Sequence, residues 1–416
     1  MARIGIYGGS FNPPHIGHIR AAMQTRRLLR LDRVILIPDA VPPHKELAAG
    51  SPDAKTRLEL VRLAAGGCEG LEVSDIELRR DGPSYTVDTL RQLHTQYPQD
   101  EFFLLMGTDM FLTFDQWRRP EDIARMAALV CMYRTEKNGA LAAELQEKAQ
   151  ALRDSLGARV EFAENDALEM SSTQARRLIF FGCGEQCVSE AALREIERLG
   201  LYGLGGDHRK LPLGRLMEVC QPLYKPKRWL HALGCSETAA QLARRYGAIA
   251  ADARRAGILH DVTKALTDAQ QLAFCERHGI AVTASERESP WLLHAKTAAW
   301  AAEHIFGEDP EICSAIRWHT TGKADMTTLE KIVYIADYTE PNRDFAGVND
   351  VRGALARDLD EGVLLGLEHS IRYLDAQKRP VEQASAEARK FLLEQGACVD
   401  EILRRQAESG ISEEKT

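Results

Sequence analysis

A chain of 416 residues, 44% of them hydrophobic, is longer than one compact core usually serves, so two domains are expected. A net charge of -8 argues against a general nucleic-acid binder, which needs a clustered basic face, so any nucleotide must be held by local groups. Nine cysteines without framework spacing or paired CxxC knuckles suit a reducing cytoplasm, and Cys183 and Cys187 read as packed thiols rather than half a metal site. The chain starts on a strand-like run with no basic-then-apolar leader. No apolar stretch reaches membrane-spanning length, so a soluble, cytoplasmic protein with no membrane contact is expected.

In chain order, short apolar runs at 4–7, 34–37, 102–106, 129–132 and 159–162 read as buried strands, with helix-like segments such as 17–29 and 86–94 between them. That alternation predicts an α/β domain built on a parallel sheet. Residues 203–210 are glycine-rich and charged and read as a short flexible connection, which places one domain at 1–205 and the next at 212–400. Beyond Pro212 the strand signal vanishes and helical periodicity takes over, clearest at 236–246, 291–305 and 328–338, so the second domain is expected to be all-α.

The first strand runs into Gly8-Gly9-Ser10-Phe11-Asn12-Pro13-Pro14-His15-Ile16-Gly17-His18 and then a helical pattern. Glycines at that point let the backbone approach a phosphate, and the following helix aims its unpaired N–H groups and positive dipole end at the anion. His15 and His18 can both donate to phosphate oxygens, stabilising charge on a nucleotide α-phosphate and departing pyrophosphate during direct displacement. No Gly-Lys-Ser/Thr closes a Walker loop. Ser171, Ser172 and Thr173 stand at another helix start, where hydroxyls and N–H groups can hold phosphates while Arg176 adds a cation. Gly107 and Asp109 close the apolar run 102–106, at the strand end where such sheets bind ligands.

The first segment resembles the His-x-Gly-His signature of the nucleotidyltransferase superfamily, in the version found in bacterial nicotinate mononucleotide adenylyltransferases. Pro43-His44-Lys45, Ser84-Tyr85-Thr86-Val87-Asp88-Thr89-Leu90, Gly107-Thr108-Asp109 and Ser171-Ser172-Thr173-x-x-Arg176 match further motifs of that family, over about residues 1–202. The resemblance implies a Rossmann-like domain that transfers an adenylyl group from ATP, accompanied by Mg²⁺, to nicotinate mononucleotide, giving deamido-NAD and pyrophosphate. It makes His15 and His18 catalytic. The binding set it implies is Gly8, Gly9, Ser10, Phe11, His44, Lys45, Tyr85, Thr86, Gly107, Asp109, Trp117, Arg134, Ser171, Ser172, Thr173 and Arg176. Within that set Asp109 lies on the adenosine side, Tyr85 and Trp117 offer surfaces for the nicotinate ring, and Thr86 can bond its carboxylate. Lys45, Arg57 and Arg134 read equally as substrate-facing cations or solvated groups. A different acceptor, such as phosphopantetheine, is the alternative.

The second half disperses His231, the adjacent pair His260-Asp261, His294, His319 and Asp337 over helical patterns. Nitrogen and carboxylate ligands of this kind suit Fe, Mn, Co or Zn better than Ca, and an Asp beside a His can bridge two ions that act together on a phosphate. The stretches Arg228-Trp229-Leu230-His231-Ala232-Leu233-Gly234, Gly257-Ile258-Leu259-His260-Asp261-Val262-Thr263-Lys264, Leu292-Leu293-His294-Ala295, Ile316-Arg317-Trp318-His319-Thr320-Thr321-Gly322 and Ala336-Asp337-Tyr338-Thr339-Glu340-Pro341 resemble the HD phosphohydrolases, and among them the symmetrical diadenosine tetraphosphate hydrolases. Leu230 replaces a glutamate common before the first histidine. The resemblance implies two divalent metals, iron foremost, on His231, His260, Asp261, His294, His319 and Asp337, with Asp261 and Lys264 catalytic, and hydrolysis of diadenosine tetraphosphate to two ADP. Lys264 and either Arg317 or Arg343 could orient the polyphosphate. Alternatives are another nucleotide phosphohydrolase, a guanosine-alarmone hydrolase or a nucleotide-sensing regulatory module. Partners are expected to be small molecules, with self-association left open.

Overall fold

Residues 1–43, 46–133, 139–166 and 170–400 are described in a computed structural model, and the chain divides into two units, Met1–Gly206 and Asp207–Thr416. The first unit is built on a six-stranded sheet: β1 (Arg3–Gly9), β2 (Arg33–Pro38), β3 (Leu71–Val73), β4 (Glu101–Gly107), β5 (Ala127–Tyr133) and β6 (Val160–Glu164). Every pairing is parallel and the order is β3-β2-β1-β4-β5-β6. Apolar side chains alternate between the two faces. Ile4, Ile6, Ile35, Phe102 and Leu104 join one buried cluster, while Val34, Leu36, Phe103, Leu105 and Val130 join the other. Burial on both faces explains the near-continuous apolar runs, each fully buried side chain of this size being worth roughly 1.5–3 kcal/mol. At Gly5 a Cβ would lie 2.9 Å from Val34 and 3.0 Å from Leu31, so only glycine fits there without repacking.

The strand order reverses between β1 and its neighbours, β2 on one side and β4 on the other, and helices follow both β1 and β4. The carboxyl ends of β1 and β4 therefore flank a crevice with no connection crossing it.

The second unit is helical. Its long first helix, Pro226–Tyr246, packs against Ala250–Leu259, and Leu293–His304, Pro310–Trp318 and Thr328–Thr339 complete the layer that carries the expected ligands. Alanines at 239, 240, 243, 253, 256, 298, 301 and 302 are fully buried or nearly so, which lets these helices approach closely. At Gly257 the approach is backbone to backbone: a Cβ would stand 2.5 Å from Ser236 Cα and 2.7 Å from its N. Thr267, Thr283 and Thr327 start helices in reciprocal capping boxes with Gln270, Glu286 and Glu330.

The glycine-rich stretch expected to connect the two domains makes backbone hydrogen bonds on each side of the unit boundary. Gly205 N donates to Gly200 O at 3.0 Å and Lys210 N to Phe306 O at 2.8 Å, while Gly200 and Gly203 take positive φ. Positive φ at Gly203 lets the chain turn there.

Candidate active sites

In the first unit the crevice is a cleft of about 700 Å³ lined by the Gly8–Asn12 loop, His18, Ser84, Thr86, Gly107, Trp117 and Arg118, and by Ser171, Ser172, Thr173 and Arg176. Two helix starts meet there, Ile16–Leu28 and Ser172–Phe180. The link between them is direct: Arg176 Nη1 donates to Asn12 O at 2.7 Å and Ser172 Oγ to Pro13 O at 3.3 Å. The positive dipole ends of both helices thus border the cleft, linked by the Arg176 guanidinium, while the Ile16 and His18 N–H groups of the first helix are already held by Cys187 O (2.8 Å) and His15 Nδ1 (3.3 Å).

The two histidines cap one helix reciprocally. His18 N donates to His15 Nδ1 at 3.3 Å and His15 N donates to His18 Nδ1 at 3.2 Å, with the rings stacked at 3.5 Å between centroids. An Nδ1 that accepts leaves the proton of a neutral ring on Nε2, so each imidazole presents an Nε2–H donor. His18 lines the cleft, whereas His15 is buried behind it, and burial pushes the His15 pKa down to about 4. His15 is accordingly a neutral support for His18 at physiological pH.

Beneath the loop lies a buried network that sequence reasoning missed. Arg57 donates to Ser10 O (2.7 Å), Asp39 Oδ1 (2.8 Å) and Asp39 O (2.8 Å), and Ser10 Oγ donates to Asp39 Oδ2 at 2.7 Å. Arg57 was a candidate substrate cation or solvated group. At 1% exposure it is neither, being spent on holding the loop. Thr86 and Trp117 line the cleft. Tyr85 lies under the Arg118 guanidinium at 4.3 Å, outside the lining, and Asp109 is exposed in the first turn after Gly107, also outside it. His44, Lys45 and Arg134 fall outside the described residues.

In the second unit the six expected ligands come together. His231 Nε2 is 2.9 Å from Asp337 Oδ1, His260 Nε2 is 3.6 Å from Asp261 Oδ2 and 4.0 Å from Asp337 Oδ1, and His294 and His319 Nε2 lie 3.2 and 3.6 Å from Asp261 Oδ1. Three of the histidines are oriented identically. The Nδ1–H groups of His260, His294 and His319 donate to the carbonyls of Gly257 (2.8 Å), Trp291 (2.6 Å) and Ile316 (2.7 Å), each three residues earlier. That fixes the tautomer and turns every Nε2 lone pair inward. His231 instead meets a carboxylate: Glu340 Oε1 lies 3.1 Å from its Nδ1. Leu230, where a glutamate was the expected support, is 60% exposed, so Glu340 supplies what position 230 does not.

Whether these residues fit a metal can be tested on two atoms. His260 Nε2 and Asp261 Oδ1 are buried and make no hydrogen bond among the described residues. Orphaned acceptors inside a ring of further donors are costly as core packing and suited to a cation. Ligand atoms of His231, Cys235, His260 and Asp337 lie within 4.8 Å of one another, as do those of His260, Asp261 and His319, two overlapping sets that share His260. Cys235 was not foreseen. Burial pushes His260 down to about 4, keeping its lone pair free. Burial would raise both aspartates, but the surrounding imidazoles with Lys264, and His231 with Arg343, hold Asp261 and Asp337 well below the usual carboxylate range.

Cations ring this cluster. Arg343 Nη2 lies 2.7 Å from Asp337 Oδ1, Arg228 Nη1 3.1 Å from Asp261 Oδ2, and Lys264 Nζ 3.0 Å from His294 Nε2. Arg317 instead lies over the Trp318 ring at 4.6 Å, with Glu286 at 3.8 Å. Cys183 and Cys187 are buried thiols and belong to neither metal-compatible set among the described residues.

Comparison with known proteins separates the two units. A cytidylyltransferase-like family model matches residues 6–178 and an HD domain model residues 228–342. A Desulfatibacillum aliphaticivorans protein described as a probable nicotinate-nucleotide adenylyltransferase is 36% identical over 219 residues, covering 48% of this chain and 99% of its own length. One of the same description from Pseudomonas syringae pv. tomato is 38% identical over 210 residues, covering 48% and 93%. Among solved structures, a "predicted HD superfamily hydrolase involved in NAD metabolism" from Clostridium acetobutylicum is 31% identical, covering 44% of this chain and 98% of that one, with a TM-score of 0.43. No helix among the described residues is long and apolar enough to cross a membrane.

Proposed function

We propose an enzyme with two reactions: the chain belongs to the nicotinate-nucleotide adenylyltransferase family through its first half and carries an HD domain in its second. The first half joins ATP to nicotinate mononucleotide, and the second hydrolyses diadenosine tetraphosphate to two ADP.

In the first reaction a phosphate oxygen of nicotinate mononucleotide attacks the ATP α-phosphorus, and the bond to pyrophosphate breaks. The observation that supports it best is the reciprocal His15–His18 cap at the meeting of two helix starts. His18 Nε2–H then donates to the oxygens that gain charge, Arg176 and the Ser171–Thr173 helix start hold the leaving phosphates, and Thr86 and Trp117 face the acceptor. Mg²⁺, which keeps most of its waters, would arrive with the nucleotide. Incubating the full chain with ATP and nicotinate mononucleotide should give deamido-NAD and pyrophosphate. Equal or better use of nicotinamide mononucleotide or phosphopantetheine would overturn the acceptor assignment.

For the second reaction the supporting observation is the set of locked histidines converging on Asp261, with two acceptors left orphaned. Divalent ions held by His231, His260, Asp261, His294, His319 and Asp337, iron being the metal we favour, would supply water activation and charge neutralisation at the phosphate. Around them Arg228, Arg343 and Lys264 hold the polyphosphate oxygens. Two ADP as the products from diadenosine tetraphosphate support the reading, whereas ATP plus AMP, or no turnover with metal supplied, rejects it.

A further inference from the structure

Cys235 follows His231 by four residues on the helix Pro226–Tyr246, so both side chains leave the same helix face one turn apart. Its Sγ lies 3.4 Å from His231 Nε2, and the side chain is 2% exposed. Two ligands of one tetrahedral ion, a sulfur at about 2.3 Å and an imidazole nitrogen at about 2.0 Å, stand roughly 3.5 Å apart. The observed 3.4 Å spacing matches that of two ligands on one ion. His260 Nε2, buried and without a hydrogen bond among the described residues, belongs to the same set of ligand atoms within 4.8 Å.

The position of the thiol is also fixed. Gly257 brings the two helices together at backbone level, with its virtual Cβ 2.5 Å from Ser236 Cα and 3.0 Å from Cys235 C. The same Gly257 offers the carbonyl that orients His260. One close contact therefore sets the thiol and the imidazole against each other.

We propose that Cys235 is a ligand of the metal centre, binding as a thiolate the ion that His231, His260 and Asp337 also face; this rests on the reading of the second unit as metal-dependent. Binding forms a sulfur–metal bond and releases the thiol proton to solvent, so the centre gains one negative charge. A soft sulfur in an otherwise nitrogen and oxygen site favours zinc, iron or cobalt over magnesium or calcium. It also exposes the centre to loss of metal when the sulfur is oxidised.

The test uses the full chain, stripped of metal and reloaded with Co²⁺. The wild-type protein should show the visible bands of bound cobalt together with a near-ultraviolet thiolate-to-cobalt charge-transfer band. Cys235→Ser and Cys235→Ala should each lose the near-ultraviolet band, keep the visible ones and bind cobalt at least about tenfold more weakly. Visible bands without the charge-transfer band in the wild-type chain, or a band that survives in both variants, overturns the role of Cys235 and leaves the metal reading intact. A wild-type chain that binds no cobalt overturns both.

Discussion

In an exposed helix, exchanging glycine for alanine gains about 1 kcal/mol; at Gly257 the same exchange should do the reverse. The added Cβ would meet Ser236 Cα at 2.5 Å and Ser236 N at 2.7 Å, both main-chain atoms that no rotamer change can move. Carbon atoms rest at about 3.5–4.0 Å, so the helices carrying His231 and His260 must part by roughly 1 Å. Overpacking of this kind costs about 1–3 kcal/mol, enough to consume the helical gain. The larger effect falls on the metal centre, whose ligand distances tolerate only about 0.2 Å. Metal retention by Gly257→Ala should drop by at least about tenfold, equivalent to 1.4 kcal/mol, and phosphohydrolase turnover should fall with it. Metal content per chain after dialysis and turnover of diadenosine tetraphosphate measure the two effects, and adenylyl transfer by the same preparation serves as the internal control. Unchanged metal content and turnover would refute the claim that this backbone contact sets the site.

Arg57→Met strands the buried Asp39 carboxylate beneath the phosphate loop. Breaking such a pair costs about 3–5 kcal/mol, or roughly 6–12 °C in the midpoint of the first unit at the lower end, read as heat inactivation of adenylyl transfer. An unaltered inactivation midpoint would remove Arg57 from the support of the loop. His15 gives a pH prediction. Its folded pKa of about 4 lies below the ordinary histidine value of 6.5, so the unfolded chain binds the proton first and stability is lost as pH falls from 6.5 towards 4. About 2 kcal/mol should be gone by pH 5, and His15→Gln should lack that share of the slope in denaturant titrations. Identical slopes would show that His15 titrates normally.

Where elements were legible in the sequence, one physical condition held: the segment's burial repeats along its own length. Strands β1, β2, β4, β5 and β6 were readable because both faces are covered. β3 was missed because three residues at a sheet edge carry no period. The helix Pro226–Tyr246 begins ten residues before the expected 236–246 stretch, since its first turns hold the site's Arg228, His231 and Gly234 in place of an apolar stripe. Candidate ligands were visible as residue types, but their support was not. Arg57 looks like any helix cation until Asp39 faces it, and Glu340 is 109 residues from the imidazole it holds. Cys235 was invisible for a related reason: one thiol beside a histidine gains meaning only when two further helices, Ala250–Leu259 and Thr328–Thr339, bring His260 and Asp337 to it.

The central claim is that two chemically separate sites share one chain, each complete within its own unit. Assaying both reactions in His18→Ala and His260→Ala tests it most directly. The account predicts a double dissociation: His18→Ala loses about 10²–10³-fold in adenylyl transfer and keeps diadenosine tetraphosphate hydrolysis, while His260→Ala loses hydrolysis and keeps adenylyl transfer. Loss of both reactions in either variant, or of neither in both, would contradict it.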